Sequence, residues 1–417
     1  MQEILKINNS FFNNSESFFY NNETINNIKT SIKKEKLITI NWLNSINKTS
    51  YINLSINNSQ NNIFYFNKNL DFNNKIKSDI ELTSLIKEFT LTYSKADYIV
   101  LENISKIDNI KIFISKFYKS WYKIIIIDNN ISIPSKPKIE IKNPRYYKIK
   151  QKLENNYNIN DFLIFWDNEN TILINNKKIK INLLENQKNQ IILKDLIEIY
   201  SIKNIFLLNQ TITFLSLLNK KITLRELHRD ISNNIKISLI TIIEYIDFLL
   251  NSKLIKRVYS YDFKKEKTIK AKAKYYFSDL WIRNSFNYFS TKKQVAIENI
   301  VFNELDKTWY KIKSGINWKF EFNFYAKKKD FVEEKNRKKI EKIYLHISKA
   351  ESKQELKKEI NKLNKIPYFP TLSKSWENID ENISRYLIVN SIENLWIKKL
   401  QYDEVKIVEL EEFLMEI

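Results

Sequence analysis

Residues 42–49, Trp42-Leu43-Asn44-Ser45-Ile46-Asn47-Lys48-Thr49, set a lysine beside a hydroxyl just beyond an apolar run at 37–40. The spacing is that of the phosphate-binding pattern G-x-x-x-x-G-K-[ST]. There, backbone N–H groups curl around phosphate, the lysine reaches the outer phosphates, and the hydroxyl binds Mg2+. The lysine and the threonine are in place, whereas Trp42 and Asn47 stand at the two glycine positions. Asparagine tolerates left-handed backbone better than most residues with a side chain, so Asn47 suits its position. The indole of Trp42 opposes a tight loop.

A second constellation follows two apolar runs later. Val100-Leu101-Glu102-Asn103 ends a run where a nucleotide-hydrolysing site carries Asp-Glu, the first acid reaching Mg2+ through water and the second polarising the attacking water. Glu102 keeps a carboxylate for the metal. Asn103 cannot accept a proton, so hydrolysis is expected to be slow at best. The next run ends in Asp128-Asn129-Asn130, which places Asn130 as a polar sensor of a γ-phosphate. Read singly, each of these is an ordinary strand-end cap; their order along the chain favours a nucleotide site. The expectation is therefore ATP held by Asn47, Lys48 and Thr49, with Mg2+ on Thr49 and Glu102.

Such residues need a sheet to hold them. The runs 37–40, 63–66, 98–101 and 124–127 are short, apolar and separated by helical spacing such as Leu82, Leu85, Ile86 and Phe89. This alternation predicts an α/β domain with a parallel sheet covered on both faces. Three of the five prolines, Pro134, Pro137 and Pro144, mark its end near residue 145, and a mostly helical stretch runs on to about 220.

Composition bounds the rest. The 417 residues carry 69 Lys and Arg against 48 Asp and Glu, a net charge of +21, which favours polyanions such as nucleic acid, nucleotide or an acidic membrane surface. An AT-rich gene inflates lysine everywhere and gives the same number. With no Cys and two His, disulfides are excluded and a Cys/His zinc site nearly so. No apolar run approaches 18 residues, so no membrane partner is expected, and a cytoplasmic chain is the default. Glycine occurs once, where average usage gives roughly 29, and asparagine is expected to take over turns.

Residues 221–261 have the rhythm of a winged helix. Thr223 caps a helix with Leu224, Leu227 and Ile231, Ser238 caps a second through Leu249, and a strand at 254–259 follows. The second helix would enter the major groove of DNA, and Lys236, Lys253, Lys256 and Arg257 would hold its phosphates. Glu244 and Asp247 on that helix argue against groove entry and leave a structural or protein-contact role open.

Lys274-Tyr275-Tyr276-Phe277-Ser278-Asp279-Leu280-Trp281-Ile282-Arg283-Asn284 resembles the KYYFxDxGxRN signature of a large group of prokaryotic AAA-type ATPases. Their C-terminal domain, of unknown function, is related to PD-(D/E)XK nucleases. Glu298-Asn299 with Glu304-Leu305, Trp309-Tyr310 with Gly315, the stretch 321–324 and the stretch 342–347 resemble further elements of that domain. Lys194-Asp195-Leu196 resembles a helical-region element of the same group. The resemblance spans most of the chain in order. It implies a AAA-type P-loop domain at 1–145, a helical and winged-helix region at 146–270, and a nuclease-related α/β domain at 271–417. It also implies that Glu321, Asn323 and His346 are the remains of a nuclease metal site. An amide and an imidazole are poor ligands for a hard cation, so nuclease activity is not expected. Trp42, Trp166, Trp281 and Trp309 stand where the group has glycine. UGA codons read as glycine in one genetic code and tryptophan in another would produce this pattern, as would degeneration of the gene. A non-catalytic basic protein that binds DNA or a protein partner is the alternative reading.

Overall fold

Two helices come first, α1 (Gln2–Asn13) and α2 (Asn22–Lys34). The second is mostly polar, yet Ile25, Ile28 and Ile32 recur at helical spacing and all three are buried. The protein is seen in a computed structural model that describes residues 2–13, 22–41, 48–56, 61–120, 122–128, 131, 138–140, 146–152, 159–165, 171, 174, 176–233, 235–290, 293–332, 337–366, 379–392, 401–402 and 404–417.

The chain then alternates β1 (Leu37–Asn41), α3 (Lys48–Ile56), β2 (Ile63–Asn67), α4 (Asp79–Tyr93), β3 (Tyr98–Glu102), α5 (Ile110–Tyr118), β4 (Lys123–Ile127) and β5 (Lys138–Glu140). The five strands form one sheet in the order β2-β3-β4-β1-β5, and every pairing is parallel. A parallel sheet needs helices on both faces, which is why its strands read as unbroken apolar runs. Ile38, Ile40, Tyr65, Val100, Ile125 and Ile127 face α2 and α3. Phe64, Phe66, Ile99, Leu101, Ile124 and Ile126 face α1, α4 and α5. Ser78 and Glu81 close a capping box on α4, which fixes where that helix starts.

Next come α6 (Tyr146–Lys152), α7 (Ile159–Phe165) and α8 (Lys177–Ile191), the last continuing through a π-helical turn (Ile192–Ile197) into the short α9 (Glu198–Tyr200). Three helices follow, α10 (Ile205–Leu217), α11 (Leu224–Ser232) and α12 (Leu239–Asn251), then the hairpin β6 (Ile255–Asp262) and β7 (Lys267–Phe277). Both expected caps are present: Thr223 and Glu226 form a capping box, and Ser238 accepts from the Thr241 N–H. The remainder is α13 (Leu280–Ser285), α14 (Lys293–Lys307), β8 (Lys311–Asn317), β9 (Phe320–Val332), β10 (Arg337–Ile347), α15 (Lys353–Asn364), β11 (Ile379–Val389), β12 (Gln401–Tyr402), β13 (Val405–Glu409) and α16 (Leu410–Glu416).

The second sheet has eight strands in the order β12-β13-β11-β10-β9-β8-β6-β7. β6 pairs with β7 antiparallel and with β8 in parallel, so the hairpin joins this sheet and the division expected at 270 falls inside β7. Tyr146, Phe162 and Leu163 of α6 and α7 likewise sit in the core beneath the second sheet, among Ile300, Leu305 and Phe324.

Gly315 lies under the ring of Phe322, where a Cβ would come within 1.9 Å of a ring carbon. Among the described residues, left-handed backbone falls to asparagine only at Asn103 and Asn109; Trp309 (φ 66°) and Trp318 (φ 57°) also adopt it. Trp309 follows α14 in a Schellman arrangement, its own N–H donating to Asp306 O and the Tyr310 N–H to Leu305 O. Trp318 is the first of the two residues that join β8 to β9. Both are positions that a helix end or a tight hairpin ordinarily gives to glycine. Among the described residues asparagine holds two of the ten left-handed positions, and local helix-end bonds hold Trp309 in its own.

Candidate functional site

The carboxyl ends of β1, β3 and β4 lie level. Ile40 is in register with Ile127, and Ile127 with Glu102. Glu102 therefore stands two strands from β1, about 10 Å away at ordinary strand spacing. It shares with Val100 the sheet face that α3 covers. α3 begins at Lys48, so Lys48 and Thr49 open the helix that follows β1. A helix N-terminus offers unpaired N–H groups and the positive end of the dipole, which suits an anion. The side chains of Lys48 and Thr49, and all of Asn47, Trp42 and Asn130, lie outside the described residues.

Glu102 is 2% exposed, and its Oε2 accepts from the Tyr65 hydroxyl at 2.6 Å. Asn103, left-handed at φ 56°, donates its N–H to the Ile127 carbonyl at 3.0 Å. Its Nδ2 donates to Asn67 Oδ1 at 3.0 Å and approaches Glu102 Oε1 at 3.4 Å. Asn67 is tied onward to the first helix: its N–H donates to Asn8 Oδ1 at 3.3 Å, and Asn73 donates to both Asn8 Oδ1 and Asn67 O. Asp128 accepts the Ser105 N–H at 2.8 Å and so braces the turn after β3. From the same turn Lys106 reaches Glu198 of α9 at 2.6 Å. Tyr200, beside it, has its phenol pushed up by burial and by the charges of Asp128 and Asp195. The Lys106–Glu198 pair thus links the turn after β3 to the helical middle.

The basic residues expected on DNA flank α12 or lie on β6. Lys236 is exposed before α12, Lys253 is half-buried and left-handed after it, and Arg257 is exposed on β6. Lys256 is engaged by Asp306 at 2.6 Å. The outward positions of α12 are Ile240, Glu244, Asp247 and Asn251.

Of the C-terminal residues, Asn323 and His346 lie on neighbouring antiparallel strands, one step beyond the paired Phe324 and Leu345. Glu321 is exposed and pairs with Lys221 at 2.9 Å, while Asn323 Oδ1 accepts the Ile347 N–H at 2.9 Å. His346 faces Glu359 of α15 at 3.8 Å, and Ser348 donates to the same carboxylate at 2.5 Å. Burial pushes the Glu359 carboxyl up, but the nearby His346 and the Ser348 hydroxyl outweigh it and hold the group below its ordinary value. Among the described residues no group of three or more His, Asp and Glu is placed to hold a metal ion, and no helix is long and apolar enough to cross a membrane.

Sequence reasoning missed what the polar motif residues do. Lys274 and Tyr276 converge on Glu298 at 2.7 and 2.8 Å. Asn299 exchanges both amide hydrogen bonds with the Phe277 backbone. Asn284 caps the Leu163 and Ile164 carbonyls at 3.1 and 2.9 Å, and Arg283 is buried deeply enough to lower it to about 10. These side chains satisfy buried backbone and each other. Their signal was polar residues set inside apolar runs. Tyr65, in an apolar strand, gave none.

A sequence family described as a domain of unknown function (DUF8612) matches residues 172–293, well under half of the chain. No curated protein matches it. Among solved structures, a Walker-type ATPase of Pyrococcus abyssi is similar at 9% identity and a TM-score of 0.45, over 64% of this chain and 95% of that one. A signal-transduction ATPase with numerous domains (STAND) and a tetratricopeptide-repeat sensor, from Pyrococcus horikoshii, is similar at 12% identity and a TM-score of 0.27. That likeness covers 70% of this chain and 45% of the other. Neither likeness decides what this chain binds.

Proposed function

We propose that the chain binds ATP with Mg2+ at the carboxyl end of the five-stranded sheet, and that hydrolysis is weak or lost. One observation carries the reading. In an all-parallel sheet ordered β2-β3-β4-β1-β5, the helix after β1 opens at Lys48, and Glu102 projects two strands away on the face which that helix covers. Ligands of open parallel sheets bind outside the carboxyl ends of the strands. Asn47 and Lys48 hold the phosphates, Thr49 and Glu102 reach the metal, and Asn130 senses the γ-phosphate. Asn103 occupies the place of the water-polarising carboxylate.

The donor set fits magnesium: a hydroxyl, a carboxylate and the phosphates themselves are hard oxygen ligands. Such a site needs no dedicated cage of carboxylates. Bound Mg2+ would neutralise charge on the phosphate oxygens. The amide of Asn103, tied to Asn67, orients but cannot remove a proton from water. Amide hydrogen exchange locates the site: residues 42–56 and 100–106 slow with Mg-ATP, and unchanged exchange there rejects it.

The other two parts serve as binding platforms in this reading. Helices α10 to α12, the β6–β7 hairpin and the Ile222–Ala273 bridge support a winged helix. The order α14, β8, β9, β10, α15, β11, with β10 and β11 parallel, supports a nuclease-related domain. Glu321, Asn323 and His346 are its relic. The outward face of α12, with Glu244 and Asp247 and no basic residue, repels phosphate and favours a protein partner over duplex DNA.

A further inference from the structure

We infer that Tyr65 is a positioning residue for the metal-reaching carboxylate of Glu102, an inference that rests on the ATP reading above. The two side chains lie on adjacent parallel strands, where Asn67 is in register with Glu102 and Tyr65 precedes it by two residues on the same face. Tyr65 is 1% exposed, so its ring is packed and its hydroxyl has little freedom. The hydroxyl donates to Oε2 at 2.6 Å, a short bond that fixes that oxygen.

A glutamate has one more rotatable bond than an aspartate, and a carboxylate at the end of a strand needs that bond fixed before it can serve a metal. Tyr65 fixes Oε2. With Oε2 so held, Glu102 would present its carboxylate to the metal in one orientation, with Oε1 3.4 Å from Asn103 Nδ2. Partners that orient a metal-reaching carboxylate matter through the metal and not through the nucleotide: their loss typically costs 10–100-fold in metal affinity. Tyr65 lies on the buried face of β2 and touches neither phosphate nor base in this reading, so its effect should be confined to Mg2+.

The test is a calorimetric titration of the full chain with ATP, at a series of Mg2+ concentrations and in EDTA. For Tyr65→Phe, ATP affinity in EDTA should equal that of the wild type, while the Mg2+ concentration for half-maximal tightening rises about ten-fold or more. Tyr65→His, which keeps a ring and a donor, should restore part of the response. In the background of Glu102→Gln, adding Tyr65→Phe should change nothing further. This pair leaves no charge buried, and it provides the reading if Tyr65→Phe alone does not fold. An equal Mg2+ response in Tyr65→Phe and wild type, or a further loss in the Glu102→Gln background, overturns the positioning role and leaves the ATP reading intact. A wild-type chain that binds no ATP at any Mg2+ concentration overturns both.

Discussion

Asn103 at the end of β3 donates through Nδ2 to Oδ1 of Asn67 at the end of β2, 3.0 Å away. The position that would polarise an attacking water is thus an amide held by another amide. Neither can take a proton. ATP turnover by the wild type should be indistinguishable from background, and Asn103→Glu should raise it by about 100-fold or more, the usual worth of a placed general base. Single-turnover assays with radiolabelled ATP check this. Rapid turnover by the wild type, abolished by Lys48→Ala, would contradict it.

Trp318 is left-handed and 71% exposed, with Lys264 over its ring at 3.9 Å. A left-handed side-chain residue costs roughly 1–2 kcal/mol, more than an exposed cation–π contact of about 0.5–1 kcal/mol returns. Trp318→Gly should therefore stabilise the protein by about 1 kcal/mol in denaturant unfolding, whereas Trp318→Ala, which keeps the Cβ and loses the ring contact, should not. Destabilisation by the glycine variant would show the indole to be needed. The codons of Trp309 and Trp318 offer an independent check: UGA is expected at these glycine-favouring positions, and UGG at both ends that explanation.

Glu304 is fully buried, 3.0 Å from Lys307, and accepts the Tyr146 N–H on both oxygens at 3.3 Å. It ties the chain leaving the first sheet to the core of the second. Breaking a buried pair of this kind costs about 3–5 kcal/mol, so Glu304→Ala should lower unfolding free energy by that much. Replacing Glu304 and Lys307 together by Met and Leu should cost far less. Equal losses from the single and double variants would mean the pair is not the source.

Glu226 is held to about 2, first by the hydrogen bond from Lys272 and then by the Thr223 N–H, each at 2.8 Å. Its folded value lies below that of an unfolded glutamate, about 4.3. The stabilisation is therefore complete above that value and lost as pH falls from about 4.5 toward 2. Glu226→Gln should flatten this limb by lowering the melting temperature near pH 7 while leaving the value near pH 2 little altered. An unchanged acid limb would assign it to other carboxylates.

Much of the first sheet was legible because its information is local. The four apolar runs are β1 to β4, and the Leu82, Leu85, Ile86, Phe89 stripe is the buried side of α4. Thr223 and Ser238 likewise marked real helix starts. Pairing between distant strands was not legible: nothing in 255–277 announces that β6 lies beside β8, so the division at 270 cut β7. At the proposed site, Glu102 and Asn103 stand out in the sequence because they close an apolar run. Tyr65 could not, because a tyrosine within Ile63–Asn67 reads as core until the register sets its hydroxyl against Glu102.

The account stands most directly on calorimetric titration of the intact chain with Mg-ATP, wild type beside Lys48→Ala. One site per chain is predicted, with affinity falling at least ten-fold, about 1.4 kcal/mol, in the variant at unchanged melting temperature. No heat of binding in the wild type, or equal affinity in the two proteins, would contradict it.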